Sequence, residues 1–205
     1  MGPSKTLPLG GPGRHQVIEL IRGRIEQSIQ VKQQLLSRCL PEIEKAAKIL
    51  VEAYQGGHQA LFFGNGGSAS DAMHMTAELV GSYLKRRKAL PALALNTNAS
   101  LLTALANDYS YEELFSHQMD AFLKPGDVAV GLSTSGRSPN VLKGLQAARK
   151  LGGRTIGLLG KDGGAIAAEV DVAIIVPSSA TDRIQESHIL IGHIFCELIE
   201  SALFK

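Results

Sequence analysis

Apolar residues recur along this chain in two rhythms, and the change from one to the other lays out the elements. Between residues 15 and 36, Val17, Ile18, Ile21, Ile25, Ile29 and Leu36 fall at steps of three and four, the spacing of one helix face. Arg22, Arg24, Glu26, Gln30, Lys32 and Gln33 fill the other face. A second helical stretch covers 41–55, with Pro41 suited to its first turn and Gly56-Gly57 closing it. From residue 59 the rhythm changes. Short apolar runs at 59–63, 90–95, 127–132, 154–159 and 172–176 alternate with helical stretches at 71–83, 101–106, 111–122, 140–151, 165–169 and 183–203. Runs that are apolar throughout, with no polar alternation, belong to strands covered on both faces. Five of them separated by helices predict an α/β fold: a doubly wound, flavodoxin-like parallel sheet with helices on both sides. Right-handed crossovers place its ligands at the carboxyl ends of the strands.

Residues 1–13 are rich in Gly and Pro and lack periodicity, so they read as a disordered tail. Residues 14–205 read as one domain that includes the N-terminal helix. The apolar stripe of that helix needs a cover, and a second copy of the chain is the expected one. Composition narrows the class. Hydrophobic residues make up 44% and charged residues 20%, as in ordinary globular proteins. A net charge of +2 is too small to suggest a nucleic-acid surface, and the lack of Trp argues against base stacking. No stretch approaches the ~18 apolar residues of a membrane span, and no signal-peptide core is present. Cys39 and Cys196 have no metal spacing and fit a reducing compartment, so a cytoplasmic location is expected. The basic run Lys85-Arg86-Arg87-Lys88 reads as a solvated loop.

The chemistry gathers at the ends of two strands. The first strand runs into Asn65-Gly66-Gly67-Ser68-Ala69-Ser70, and a central one into Ser133-Thr134-Ser135-Gly136-Arg137-Ser138. Glycines let backbone N–H groups approach an anion, hydroxyls add donors, and the following helix directs its dipole at the same place. Two such loops without a Walker lysine point to a phosphomonoester on a small molecule; the absence of G-x-G-x-x-G disfavours a dinucleotide. Beyond the first loop, His74 and Glu78 stand at i and i+4, on one helix face. The last helix carries Gln185, His188 and His193. At about 100° per residue, Gln185 and His193 lie about 80° apart, and His188 and His193 about 140° apart. The two histidines therefore do not share a site, and spacing alone does not choose between them.

Taken together, GNGGSASDAMHMTAEL, the AND of residues 106–108, STSGRSPNV, GKDGG and DRIQESHILIGHIFCELIE resemble the sugar isomerase (SIS) domain, and more narrowly the phosphoheptose isomerases. The resemblance runs from about residue 15 to the C-terminus. It implies conversion of sedoheptulose 7-phosphate to D-glycero-D-manno-heptose 7-phosphate through an enediol, the first step toward heptose for surface glycans such as lipopolysaccharide. It implies that Asn65, Gly66, Gly67 and Ser68, with Ser133, Thr134, Ser135 and Ser138, hold the sugar phosphate. Asn107 and Asp108 match substrate contacts. His74, Glu78, Gln185 and His193 match a zinc-associated set, in which Glu78 and His193 are also the acid–base pair; Glu78 and Gln185 are counted with the substrate contacts too. The resemblance thus selects His193 over His188, and it implies a homotetramer built partly from the N-terminal helices. Arg137, Pro139 and Ala69-Ser70 vary the family's loops. The NTNAS segment at 96–100 is similar to a relative, the replication-initiator-associating protein, a tetramer without known isomerase activity. That relative lacks counterparts of Glu78 and His193, which this chain keeps. The rival readings are a non-enzymatic regulator of that type and an isomerase of another phosphosugar.

Overall fold

The computed structural model describes residues 14–204; the tail expected at 1–13 lies outside them. Two helices come first, α1 (Arg14–Arg38) and α2 (Leu40–Gln55). The sheet and its crossovers follow: β1 (Ala60–Gly64), α3 (Gly67–Val80), β2 (Ala92–Ala94), α4 (Ala99–Asp108), α5 (Leu114–Phe122), β3 (Val128–Ser133), α6 (Pro139–Lys150), β4 (Arg154–Gly160), β5 (Val172–Val176) and α7 (Thr181–Leu203). All strand pairs are parallel, in the order β2-β1-β3-β4-β5. The order reverses between β1 and β3. This is the doubly wound, flavodoxin-like sheet that the alternation predicts, and its switch point lies between the two serine-bearing loops.

The apolar strands divide their side chains between two cores. Phe62, Val128, Val130 and Leu132 pack with Ala72, Met75 and Leu79 of α3, Ile184, Ile191, Phe195 and Ile199 of α7, and the buried face of α2. Leu61, Phe63 and Ala129 pack on the opposite side with Leu114, Phe115 and Met119 of α5 and Val141, Leu145 and Ala148 of α6. On the first side α3 and α7 lie close. A Cβ built on Gly192 would sit 2.5 Å from the end of Met75, and one on Gly67 would sit 2.5 Å from the Gln185 amide. Glycine at these two places lets α7 lie against α3, and this contact carries the chemistry of α7 to that of α3.

Several boundaries differ from the periodicity. Helix α3 begins at Gly67, inside the first loop, rather than near residue 71. The first amides of a helix need no helical partner, so glycines there cost little. It ends at Val80, not 83, because side chains described below take over its terminal hydrogen bonds. Pairing in β2 is confined to three residues. Of the 111–122 stretch, Tyr111–Glu113 is a 3₁₀ turn, and of 165–169 only Ala167–Glu169 is helical, again as 3₁₀. Asn98 caps α4 by accepting from the Leu101 N–H at 3.1 Å. Among the described residues no helix is long and apolar enough to cross a membrane.

The long α1 shows its polar side to the domain. Ser28 donates to Glu186 of α7, and Arg183 donates to the Arg24 carbonyl. Only its far end, at Val31 and Leu35, is buried. Ile18, Leu20, Ile21, Ile25, Ile29 and Leu36 stay about half exposed or more.

Candidate active site

The first loop begins where β1 ends. Asn65 exchanges amide hydrogen bonds with Asn140 at the start of α6, at 2.8 and 2.9 Å, and its oxygen also accepts from the Tyr111 hydroxyl at 2.9 Å. Asn140 is buried and accepts from the Val141 N–H. Three chain segments are thus pinned at the mouth of the sheet. A cavity of about 230 Å³ opens here between Asn65, Gly66, Asn96, Ala106 and Tyr111. Ser68 is buried in the first turn of α3, while Gly66 and Gly67 face solvent.

The second loop is a cup of hydroxyls. Ser133 lies 2.9 Å from Ser138 and 3.5 Å from Ser135, oxygen to oxygen. Ser135 also accepts from the Arg137 N–H. Arg137 reaches out of the cup to form a two-pronged pair with Asp162. Thr134 is half-buried beside these serines. Asn107 and Asp108 lie exposed at the end of α4, the Asn107 amide donating to Asp108 at 2.7 Å. A carboxylate at the negative end of a helix dipole does nothing for the helix, so Asp108 has no evident structural use there.

Two histidines and a glutamate meet farther along α3. The His74 Nε2 and a Glu78 carboxylate oxygen are 3.1 Å apart. From α7, His193 brings its ring to within 5.1 Å of His74, edge to face, and donor atoms of His74, Glu78 and His193 all lie within 4.8 Å of one another. Two imidazoles and a carboxylate at this spacing suit a first-row divalent ion with a further position left for substrate or water. Gln185 lies earlier on α7, against Gly67 at the start of α3. Asp71, just before His74 on α3, has its carboxyl pushed up to about 6 by burial, with His74 opposing the shift.

His188 is different. It is wholly buried, its Nε2 bonded to the Leu159 carbonyl at 3.0 Å and its Nδ1 without a partner. Burial pulls its pKa down to about 4, so it is a neutral core residue at ordinary pH. The choice that spacing leaves open is made by packing: His193 joins the cluster.

Sequence reasoning does not single out Asn140, Tyr111, Tyr83 or Glu200, and it misplaces Arg87. Asn140 follows a Ser-Pro that reads only as a helix start. The basic run puts Arg87 in water, yet its side chain is 1% exposed and paired with an equally buried Glu200. No local pattern announces such a pair, because its members lie 113 residues apart.

A parallel sheet with two hydroxyl-bearing loops at its switch point and a His/Glu cluster alongside defines a phosphosugar-isomerase type of domain. The SIS domain profile matches residues 25–160, and the chain belongs to this family. Its relatives narrow the branch. A phosphoheptose isomerase of Leptospira biflexa is 53% identical over 187 residues, 90% of this chain and 96% of that one. One of Geobacter sp. strain M21 is 48% identical over 188 residues, covering 92% and 98%. Among solved structures, a phosphoheptose isomerase from Neisseria gonorrhoeae matches with a TM-score of 0.86 at 40% identity, over 90% of this chain and 99% of that one. One from Francisella tularensis matches at 0.87 and 34%, over 90% and 98%.

Proposed function

We propose that this protein is a phosphoheptose isomerase, interconverting sedoheptulose 7-phosphate and D-glycero-D-manno-heptose 7-phosphate. The observation that carries the reading is the meeting of His74, Glu78 and His193, on the helix that leads out of the first loop and on α7. A regulator of the non-enzymatic type has no use for that cluster. The serine cup, with Ser133, Thr134, Ser135 and Ser138, holds the phosphate, and Asn65 to Ser68 with the start of α3 close over it. Asn107, Asp108 and Gln185 bind sugar hydroxyls.

Glu78 takes the proton from C1 of the ketose. The C1–H electron pair forms the C1–C2 double bond of the enediol, and the carbonyl oxygen at C2 receives a proton from His193. In the second half the O1 proton leaves to His193 and C2 takes a proton from Glu78, leaving the aldehyde at C1. No electron or atom is exchanged with another molecule. His74, bonded to Glu78, fixes the direction of its carboxylate. The same residues, with Gln185, would hold a zinc ion; when bound, it supplies Lewis acidity at the substrate carbonyl.

The half-exposed apolar stripe of α1 supports self-association, taken as a homotetramer. The two buried free thiols support a reducing, cytoplasmic setting, and the product serves surface-glycan assembly. The test is an NMR time course of purified protein with sedoheptulose 7-phosphate and a panel of other ketose and aldose phosphates. Turnover of the heptulose phosphate at least about a hundredfold faster than the others is expected, a margin of about 2.7 kcal/mol. Preference for another sugar would move the assignment within the family; no turnover of any would reject it.

A further inference from the structure

We propose that the buried Arg87–Glu200 pair, and the Tyr83 ring that it anchors, are positioning residues that hold Glu78 and His193 in register. This rests on the isomerase reading and deepens it.

The last carbonyls of a helix lack helical partners, and a terminal turn frays unless something caps it. At the end of α3 the cap is a side chain. Arg87 donates from one terminal nitrogen to the Leu79 carbonyl at 2.8 Å and from the other to the Glu78 carbonyl at 2.9 Å. Its Nε donates to Glu200 at 2.8 Å. The Glu200 carboxylate also accepts the backbone N–H groups of Tyr83, Leu84 and Lys85, at 2.8, 2.9 and 3.1 Å. One buried carboxylate on α7 thereby fixes both the turn that carries Glu78 and the segment that follows it.

That segment places Tyr83. Its ring stacks on His193, centroids 5.3 Å apart and planes within 10°. His193 is thus flanked by Tyr83 on its face and by the edge contact with His74. Both members of the acid–base pair are braced from Glu200, one through Arg87 and the other through Tyr83. A buried ion pair is a poor way to gain stability, since apolar side chains of similar volume commonly do as well. A geometrical use accounts for it better, because small misplacements of reacting groups cost about a hundredfold in rate.

The experiment combines kinetics with the NMR signal of the His193 ring proton, read without substrate. Tyr83→Phe keeps the ring and should retain kcat within about twofold, with the His193 signal in place. Tyr83→Ala should lower kcat at least about tenfold with KM within about twofold, and should move the His193 signal as the ring current is lost. Arg87→Lys, which keeps the charge and loses the fork, should lower kcat at least about fivefold at unchanged KM. An unmoved His193 signal with unchanged kcat in Tyr83→Ala overturns the proposal, and so does a rise in KM alone. Because the signal needs no turnover, a parent protein inactive on every sugar would refute the isomerase reading while the ring-proton shift still reported on the brace.

Discussion

After β1, Asn65 gives its side chain to Asn140 and Tyr111; after β3, the hydroxyls of Ser133, Ser135 and Ser138 lie against one another, Ser135 also accepting from the Arg137 N–H. Both loops are short, polar and followed by a helix, yet one is a joint and the other a cup. An amide has a fixed donor and a fixed acceptor side, so its pairing with Asn140 and Tyr111 locks three segments. A hydroxyl rotates, so serines bonded to one another can turn to a phosphate oxygen without rebuilding the loop. Two loops of similar composition thus differ in rigidity, one a fixed joint between three segments and the other a cup of rotatable hydroxyls. The same division recurs on α7, where His188 is sealed against Leu159 and His193 is open to the cluster.

Perturbing each half should therefore change different quantities. The largest effect is expected at His188. The unfolded chain takes up a proton near the ordinary value of 6.5, whereas the folded chain resists until about 4. Stability is then lost as pH falls from 6.5 to 4, by about 3 kcal/mol. His188→Gln should flatten that part of the stability–pH curve, measured by urea unfolding. Next comes the joint: Asn140→Ala strands the Asn65 amide and should cost about 2 kcal/mol of stability, read as a fall in the urea midpoint. The smallest concerns the cup. Ser135→Ala should raise KM about tenfold, equivalent to about 1.4 kcal/mol, with stability changed by less than about 0.5 kcal/mol. A Ser135 variant that unfolds easily and binds normally would reverse the roles assigned to the two loops.

Much of the frame is legible in the chain itself. Continuous apolar runs identify a parallel sheet because strands covered on both faces have no polar side. The i,i+4 spacing of His74 and Glu78 is enough to put them on one helix face. What stays hidden is what depends on distant partners. Asn65 reads as a loop residue alone, and its amide bond to Asn140, 75 residues away, has no local signal. Arg87 looks solvated until Glu200 buries it. His188 and His193 are equivalent as letters, and only the packing of α7 against α3, allowed by Gly192, separates a core imidazole from one that joins His74 and Glu78. The end of α3 is only partly legible: Gly81 caps it locally, but the side-chain caps come from Arg87, held by Glu200, and have no local signal.

The central proposal is that Glu78 moves the carbon proton while other residues anchor the phosphate. Glu78→Gln, matched in shape and unable to act as a base, tests it most directly. Calorimetric titration with sedoheptulose 7-phosphate should give an affinity within about threefold of the parent, while the NMR time course should show turnover reduced at least about a thousandfold. Turnover near the parent rate in that variant, with binding intact, would contradict the account.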